Sequence, residues 1–174
     1  MGANTTQGLL KLLEALDVYI EMETGAVKAY QAMAHKAEQK SSKALLAWLY
    51  NYETARLLRL EKRRRLILRR HPEFMESGQY VKKDFGITKI GSGFLRLAKA
   101  SCLAILRFAI ANEARGKQFF QGQAVDTRDP VLKFVFGAAA KEQDDYIAYL
   151  GGQRSLMIQE QADIDAMTIV EYPV

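Results

Sequence analysis

The sequence predicts an all-α fold in which four long helices form two antiparallel hairpins joined by a long crossover. Apolar residues recur at steps of three, four or seven over several long segments, which is the spacing of one helix face. Three prolines occur in 174 residues and none lies between Pro72 and Pro130, so long uninterrupted helices can form. Hydrophobic residues make up 49% and charged residues 26% of the chain, which is typical of a globular protein and excludes a disordered one.

The first hairpin is predicted from two helical segments separated by a short break. The first segment runs from about residue 5 to residue 39, and its apolar face is formed by Leu9, Leu12, Leu16, Ile20, Val27, Tyr30 and Ala34. The second begins after Lys40, where Ser41 or Ser42 is a candidate N-cap. This second helix is expected to extend to about Arg70, because His71 and Pro72 end the pattern.

The second hairpin follows a glycine-containing crossover from residue 72 to about residue 94, which can hold a short helix. A third helix is expected from about Phe94 to Val125. Asp129 and Pro130 then fit the N-cap and the first position of a fourth helix, which is expected to end at Gly151-Gly152. Residues 1–152 are thus the expected bundle. Residues 153–174 are the expected C-terminal tail, which can begin with a short helix and is expected to end extended.

Composition and charge exclude several classes of site. The single cysteine, Cys102, excludes a disulfide framework and any site with several thiolates. Two histidines, His35 and His71, are too few for a three-histidine metal site, and both are interpreted as surface residues near helix ends. A net charge of +5 with a pI near 9.3 permits binding to nucleic acid or an anionic membrane without requiring it. The sequence shows no apolar run of the ~20 residues that a bilayer needs and no signal peptide, so we expect a cytoplasmic protein without membrane association.

The two halves of the chain share a pattern centred on glutamate. Each half contains Glu-x6-aromatic-x3-Ala and then, after a turn, a second glutamate 30 or 29 residues beyond the first. In the first half these residues are Glu23, Tyr30, Ala34 and Glu53. In the second half they are Glu113, Phe120, Ala124 and Glu142. We assign the one-residue difference to the turn, where length is free to vary.

All four glutamates of this pattern lie in apolar stripes, although glutamates in helices are usually found on the wet face. Within each hairpin the two glutamates lie at a similar distance from the turn, so the four carboxylates are expected to converge if the hairpins pack face to face. Buried unpaired carboxylates cost several kcal/mol each. Protons, basic side chains or a divalent metal must therefore neutralise them, and oxygen-rich helical sites that also carry imidazole suit iron or manganese.

The sequence resembles the rubrerythrin-type members of the ferritin-like superfamily over roughly residues 10–150. The resemblance rests on Ile110-Ala-Asn-Glu113 and the two copies of the glutamate pattern. It implies two iron ions in the bundle core, held by one glutamate from each of helices one and three and a Glu-x-x-His from each of helices two and four. The ligand glutamates that it implies are Glu23, Glu53, Glu113 and Glu142.

Both histidines of the implied motif are replaced in this chain. Glu53-Thr-Ala-Arg56 carries an arginine, which stays protonated and cannot be a ligand, whereas Glu142-Gln-Asp-Asp145 carries an aspartate, which can bind metal through oxygen. Two interpretations remain open. In one, the four glutamates and Asp145 hold a metal while Arg56 turns aside.

In the other interpretation the site is vestigial, and Arg56 takes the place of a cation by binding two of the glutamates. Gly116, one turn beyond Glu113, then leaves room for a bulky neighbour, for which Arg56 is a candidate.

Three functions follow as hypotheses. The first is a di-metal protein, with iron as cofactor, that oxidises iron or reduces peroxide and needs an external electron donor, because Cys102 alone cannot form a rubredoxin module. The second is a metal-free structural or binding protein. The third is a binder of nucleic acid or an acidic partner through a basic run in helix two: Arg56, Arg59, Lys62, Arg63, Arg64, Arg65, Arg69 and Arg70. No aromatic residues alternate with this run, so a solvated face is favoured over the third function. The resemblance and the hydrophobic content also imply a homodimer.

Overall fold

A computed structural model describes residues 2–82 and 100–170, with side chains described for residues 6–82 and 100–161. Within these ranges the chain is helical and contains no strand, which confirms the predicted all-α class. The helices are α1 (Gly2–Lys36), α2 (Lys40–Arg70), α3 (Glu73–Glu76), α4 (Cys102–Asp126) and α5 (Pro130–Val170).

The four long helices form the two predicted hairpins. α1 packs along α2, and α4 packs along α5. The hairpins meet where α1 contacts α5 and where α2 contacts α4. The crossover between α2 and α4 begins with the short helix α3, and its residues 83–99 lie outside the described part of the chain.

The start of α2 differs from the prediction. Gln39, not Ser41 or Ser42, is the N-cap residue. Ser42 is instead buried inside the helix, and its hydroxyl donates to the carbonyl oxygen of Ala100 at 2.9 Å. The hydroxyl therefore joins the start of α2 to the segment entering α4, which a search for local caps cannot reveal.

The crossover is fixed to the first hairpin at its N-terminal end. Phe74 of α3 is fully buried against Leu13. Tyr80 donates to Asp17, and Arg64 donates to the Tyr80 hydroxyl at 2.9 Å and forms an ion pair with the Asp17 carboxylate at 2.8 Å. The described start of the crossover is thus held to the bundle by apolar packing at Phe74 and polar contacts at Tyr80.

The start of α4 was expected near Phe94, which lies outside the described residues. Ala100 and Ser101 are not helical, and α4 begins at Cys102, with the Ser101 hydroxyl accepting a hydrogen bond from the amide of Ala104 at 3.4 Å. The helix ends at Asp126, within one residue of the expected end at Val125.

The start of α5 was predicted correctly, whereas its end was not. Asp129 caps its start by accepting from the amides of Val131 and Leu132, at 2.9 and 3.2 Å. The predicted end at Gly151-Gly152 is wrong, because α5 continues to Val170 and most of the expected tail is helical. Glycine costs about 1 kcal/mol in a helix interior, and packing of the fully buried Leu150 and of Met157 on the core offsets that cost.

The apolar core has two main parts along the bundle. One is centred on Tyr30, Met33, Leu46, Leu49 and Leu106. The other joins all four long helices around Tyr19, Leu60, Phe120 and Phe136. Among the described residues, the structure has no helix that is both long and apolar enough to span a bilayer.

Candidate functional site

A group of charged side chains lies inside the bundle, between the two main parts of the core. Glu23 projects from α1, Glu53 and Arg56 from α2, and Glu113 from α4. Each of the four is at most 2% exposed. The apolar stripes that surround these positions in the sequence carry them inward, because a helix that buries one face also buries any polar residue on it. We call these four residues the carboxylate centre.

The Arg56 guanidinium lies among the three carboxylates. Its Nη2 atom donates to Glu23 in a short contact and to Glu113 Oε2 at 3.2 Å, and Nη1 reaches the same Glu113 oxygen at 3.3 Å. Its Nε atom is 3.5 Å from Glu53 Oε2. The open question of where Arg56 points is thereby answered: it points into the core and uses the planar fork of donors that distinguishes arginine from lysine.

Two aromatic rings flank the same guanidinium. Its carbon Cζ lies 5.9 Å from the ring centroid of Tyr19 on α1 and 5.6 Å from that of Tyr146 on α5. Cations at these distances are attracted by the ring quadrupole, and the attraction is stronger where water is excluded. Arg56 thus contacts all four long helices, through carboxylates or aromatic rings.

The fourth helix contributes Gln143 to the centre, not Glu142. Gln143 is 2% exposed. With its amide oriented to satisfy both neighbours, it donates to Glu113 and accepts from Arg56 Nη2 at 3.0 Å. Gly116 lies against this amide: a Cβ at that position would be 3.4 Å from it, an ordinary van der Waals distance. The bulky neighbour expected beside Gly116 is therefore Gln143 rather than Arg56.

The internal repeat contained the signal for Gln143. Glu53 and Arg56 lie 30 and 33 residues after Glu23, and the residues at the same distances after Glu113 are Gln143 and Tyr146. Both of these residues are buried. The prediction chose Glu142 because the shorter spacing in the second half was assigned to the turn. This choice is one residue away from Gln143, and on a helix one residue is a rotation of about 100°.

The other two predicted ligands lie outside the core. Glu142 is at the rim with its side chain 42% exposed; it accepts from the Tyr19 hydroxyl at 3.3 Å and lies 3.9 Å from Arg59. Asp145 has a 68% exposed side chain and pairs with Lys141 at 2.8 Å. The expectation that four carboxylates converge is therefore right for three, and Asp145 does not approach them.

Burial dominates the protonation of the centre. It raises the pKa of Glu53 well above its ordinary value, and the negative charges of Glu23 and Glu113 add to the rise, although the charge of Arg56 opposes it. Burial raises the pKa of Glu113 to about 7 despite the same arginine. The arginine itself stays charged, since the three carboxylates raise its pKa against the effect of burial.

Several buried polar atoms of the centre have no hydrogen-bond partner. They are Glu23 Oε2, both carboxyl oxygens of Glu53, Arg56 Nε, and the hydroxyls of Tyr30 and Tyr146. A proton on Glu53 provides a donor for the open oxygen of Glu23. Because burial raises the pKa of both tyrosines above its ordinary value, these phenols remain neutral and keep their protons for donation.

The centre does not provide the ligands that a two-iron site requires. Three carboxylates surround a guanidinium, the fourth helix supplies a neutral amide, and both histidines lie elsewhere: His35 is exposed and His71 is half-buried beside α3. Within residues 6–82 and 100–161, no three His, Cys, Asp or Glu side chains form a group that could hold a metal ion. A guanidinium held by carboxylates also repels a divalent cation, because it stays charged at any working pH.

The basic run of α2 divides into inward-facing and outward-facing parts. Arg56 belongs to the carboxylate centre, and Arg64 is half-buried against Asp17 and Tyr80. The remaining cations are exposed: Arg59, Lys62, Arg63, Arg65, Arg69 and Arg70. We call these six residues the basic face.

Comparison with known proteins supports the architecture. The chain has the fold of an uncharacterised conserved protein from Magnetospirillum magnetotacticum MS-1, whose crystal structure it matches with a TM-score of 0.59. The match covers 83% of this chain and 93% of the other, at 18% sequence identity. At this identity the likeness shows the fold alone. No family model and no curated protein matches the sequence.

Proposed function

We propose that this protein is a ferritin-like bundle in which Arg56 supplies the positive charge at the centre in place of a metal pair, and that it acts as a structural or binding protein rather than as an oxidoreductase. The observation that carries the proposal is the position of the Arg56 guanidinium, which contacts Glu23, Glu53 and Glu113 inside the bundle.

Charge balance supports this function. Three carboxylates and one guanidinium carry a formal charge of −2, and a proton on Glu53 reduces it to −1. Glu113, with its pKa raised to about 7, is partly protonated near neutral pH and reduces the charge further. Protons and one arginine thus bring the centre close to neutrality, which is the condition for burying it.

The register of the repeat supports the same conclusion. If the resemblance to rubrerythrins is applied with equal spacing in both halves, the second Glu-x-x-His pair falls on Gln143 and Tyr146. Relative to the implied motif, histidine is then replaced by arginine on α2, and glutamate and histidine by glutamine and tyrosine on α5. One ligand remains from the two pairs, namely Glu53.

The test is metal analysis with restoring variants. The parent protein, purified without chelator and then loaded with ferrous iron under anaerobic conditions, is expected to retain no stoichiometric metal and to show no ferroxidase or peroxidase activity. Arg56→His is expected to gain some iron, and Arg56→His combined with Gln143→Glu is expected to gain more, because the pair restores two ligands and removes the repelling charge. A Glu142→Gln variant is the matched control on α5, since that side chain lies at the rim.

Two results would overturn the proposal. Two irons per chain in the parent would support the competing hypothesis of a di-iron oxidoreductase fed by an external electron donor. If the parent does retain iron, its loss in Glu142→Gln but not in Glu53→Gln would show that the rim carboxylate, and not the buried centre, binds the metal.

The basic face supports a second candidate function, the binding of nucleic acid or an acidic partner. Its six cations lie on residues 59–70, which span about 17 Å of helix. Binding through phosphates would weaken steeply with salt. Retardation of a short duplex at low salt, abolished by the pair Arg63→Gln and Arg70→Gln, is the expected result if this function is real. No retardation at low salt would exclude it.

A further inference from the structure

An aromatic groove opens on the surface between α2 and α5, outside the carboxylate centre. It encloses about 600 Å³. Trp48 and Tyr52 of α2 face Tyr146 and Tyr149 of α5 across it. Residues Lys141, Glu142 and Asp145 lie along the α5 side, and Ala138 completes the lining.

The four rings form a connected surface. Tyr52 stacks on the buried Tyr146 with ring centroids 4.0 Å apart and an interplanar angle of 10°, which makes the floor of the groove. Trp48 lies 5.8 Å from the ring of Tyr149 and 6.1 Å from that of Tyr52, tilted by 34° and 32°. Tyr149 is 48% exposed and Trp48 and Tyr52 are half-buried, so part of the surface of these three rings is open to a ligand.

Two carboxylates and two cationic side chains lie beside the rings. Glu142 and Asp145 place two carboxylates on the groove, against one Lys141 ammonium that pairs with Asp145 at 2.8 Å. Arg59 lies near Glu142 from outside the lining, at 3.9 Å. The lining itself carries a formal charge of −1, Arg59 brings the group to neutrality, and the aromatic faces add the negative potential of their π-systems.

We propose that this groove binds an organic cation of the quaternary ammonium class, with its methyl groups against the rings of Trp48, Tyr52 and Tyr149 and its charge beside Glu142 and Asp145. Aromatic cages bind such cations through the faces of their rings, which is the component that Trp48, Tyr52 and Tyr149 supply here. The proposal rests on the proposed function in one respect, because Glu142 must not be occupied by a metal.

The experiment uses the intrinsic fluorescence of Trp48, which is the single tryptophan of the chain. Choline is titrated into the full-length protein in the presence of a chelator, so that retained metal cannot affect the outcome. Its uncharged tert-butyl analogue, in which carbon replaces nitrogen, has the same shape and serves as the ligand control. We expect a saturable signal with choline and affinity for the analogue at least about tenfold weaker.

Matched variants separate the groove from the rest of the surface. Asp145→Asn is expected to weaken choline binding by about threefold to fivefold. Tyr149→Leu is expected to weaken it by about fivefold to tenfold. Asp144→Asn removes the same charge from the neighbouring residue, which pairs with Lys117 and does not line the groove; it is expected to have no effect.

Three results would overturn the proposal. One is an equal response to choline and its analogue, or no response to either. Another is an equal loss of affinity in Asp144→Asn and Asp145→Asn. The third is a Trp48 signal that changes with protein concentration and not with choline, which would show that a second copy of the chain covers the groove. A second titration without chelator separates the two proposals. Choline binding that occurs with the chelator but not without it would support the groove as a binding site and contradict the proposal that the protein is metal-free.

Discussion

Replacing Arg56 by leucine is expected to destabilise the protein strongly. The guanidinium contacts three carboxylates, and all four side chains are at most 2% exposed. Its removal leaves the carboxylates buried without a cation. Removing one partner from a buried ion pair costs about 3–5 kcal/mol. For a chain of this length, that loss corresponds to a fall of about 6–20 °C in the melting temperature.

The loss is also expected to depend on pH, with a sign fixed by the carboxyl pKa values. The charge of Arg56 lowers the pKa of Glu53 and Glu113, so both values rise further in the variant. A carboxyl whose pKa is raised on folding contributes its full stability below the unfolded value of 4.5 and loses it as the pH rises to the folded value. The deficit of Arg56→Leu is therefore smallest near about pH 5 and largest near about pH 8.

Urea unfolding, followed by far-UV circular dichroism at both pH values, measures this deficit. Arg59→Leu is the matched control, because it removes the same side chain one turn along α2 where it is 60% exposed, and a change within about 0.5 kcal/mol is expected. The reasoning is refuted if Arg56→Leu is as stable as the parent near about pH 8. A deficit that is equal at both pH values would show that lost packing, and not stranded charge, accounts for it.

A double-mutant cycle assigns the charge component to particular atoms. Glu113→Gln removes the carboxylate that accepts from Nη1 and Nη2 of Arg56, at 3.3 and 3.2 Å. In the Arg56→Leu background this second change is expected to cost less than in the parent, or to restore stability. The coupling expected for two residues in direct contact is about 1–3 kcal/mol. Additive losses would show that the two side chains act independently.

Three further predictions concern the surroundings of the centre. Glu53→Gln replaces a carboxyl whose raised pKa keeps it protonated, so the variant should match or exceed the parent in stability near about pH 8 and show a flatter pH profile in urea unfolding. Gly116→Ala should be neutral or stabilising by up to about 1 kcal/mol, because its Cβ would make an ordinary 3.4 Å contact with Gln143; a larger loss in thermal melts would show that the amide cannot shift. The expected homodimer should bury Phe134, 76% exposed in the single chain, so sedimentation of Phe134→Glu should show monomer where the parent shows dimer.

Residues whose environment is set by their own helix could be predicted from the sequence. Glu23, Glu53 and Glu113 each lie among apolar neighbours three, four and seven residues away, and this spacing alone predicts that they face the core. Asp129 and Pro130 specify the start of α5 through local backbone chemistry, and the structure confirms it. Hairpin topology followed from the short breaks between strongly periodic segments.

Features that depend on distant parts of the chain could not be predicted in this way. Ser42 has the side chain of a helix cap, but its partner is the carbonyl of Ala100 in the segment entering α4. Gly151 and Gly152 carry a local stop signal that tertiary packing overrides. The error at Glu142 has a different cause: both it and Gln143 have apolar neighbours at helical spacing, so periodicity did not distinguish them. Equal spacing in the two halves of the repeat does.

The two departures at Arg56 and Gln143 act in the same electrostatic direction. Measured against the implied Glu-x-x-His pairs, arginine for histidine on α2 adds one positive charge, and glutamine for glutamate on α5 removes one negative charge. Four carboxylates around an arginine would carry −3, which one proton could not neutralise in a dry core. With Gln143 the formal charge is −2, and the raised pKa values of Glu53 and Glu113 bring it between −1 and 0. Together the two changes allow the buried centre to approach neutrality through protons and arginine.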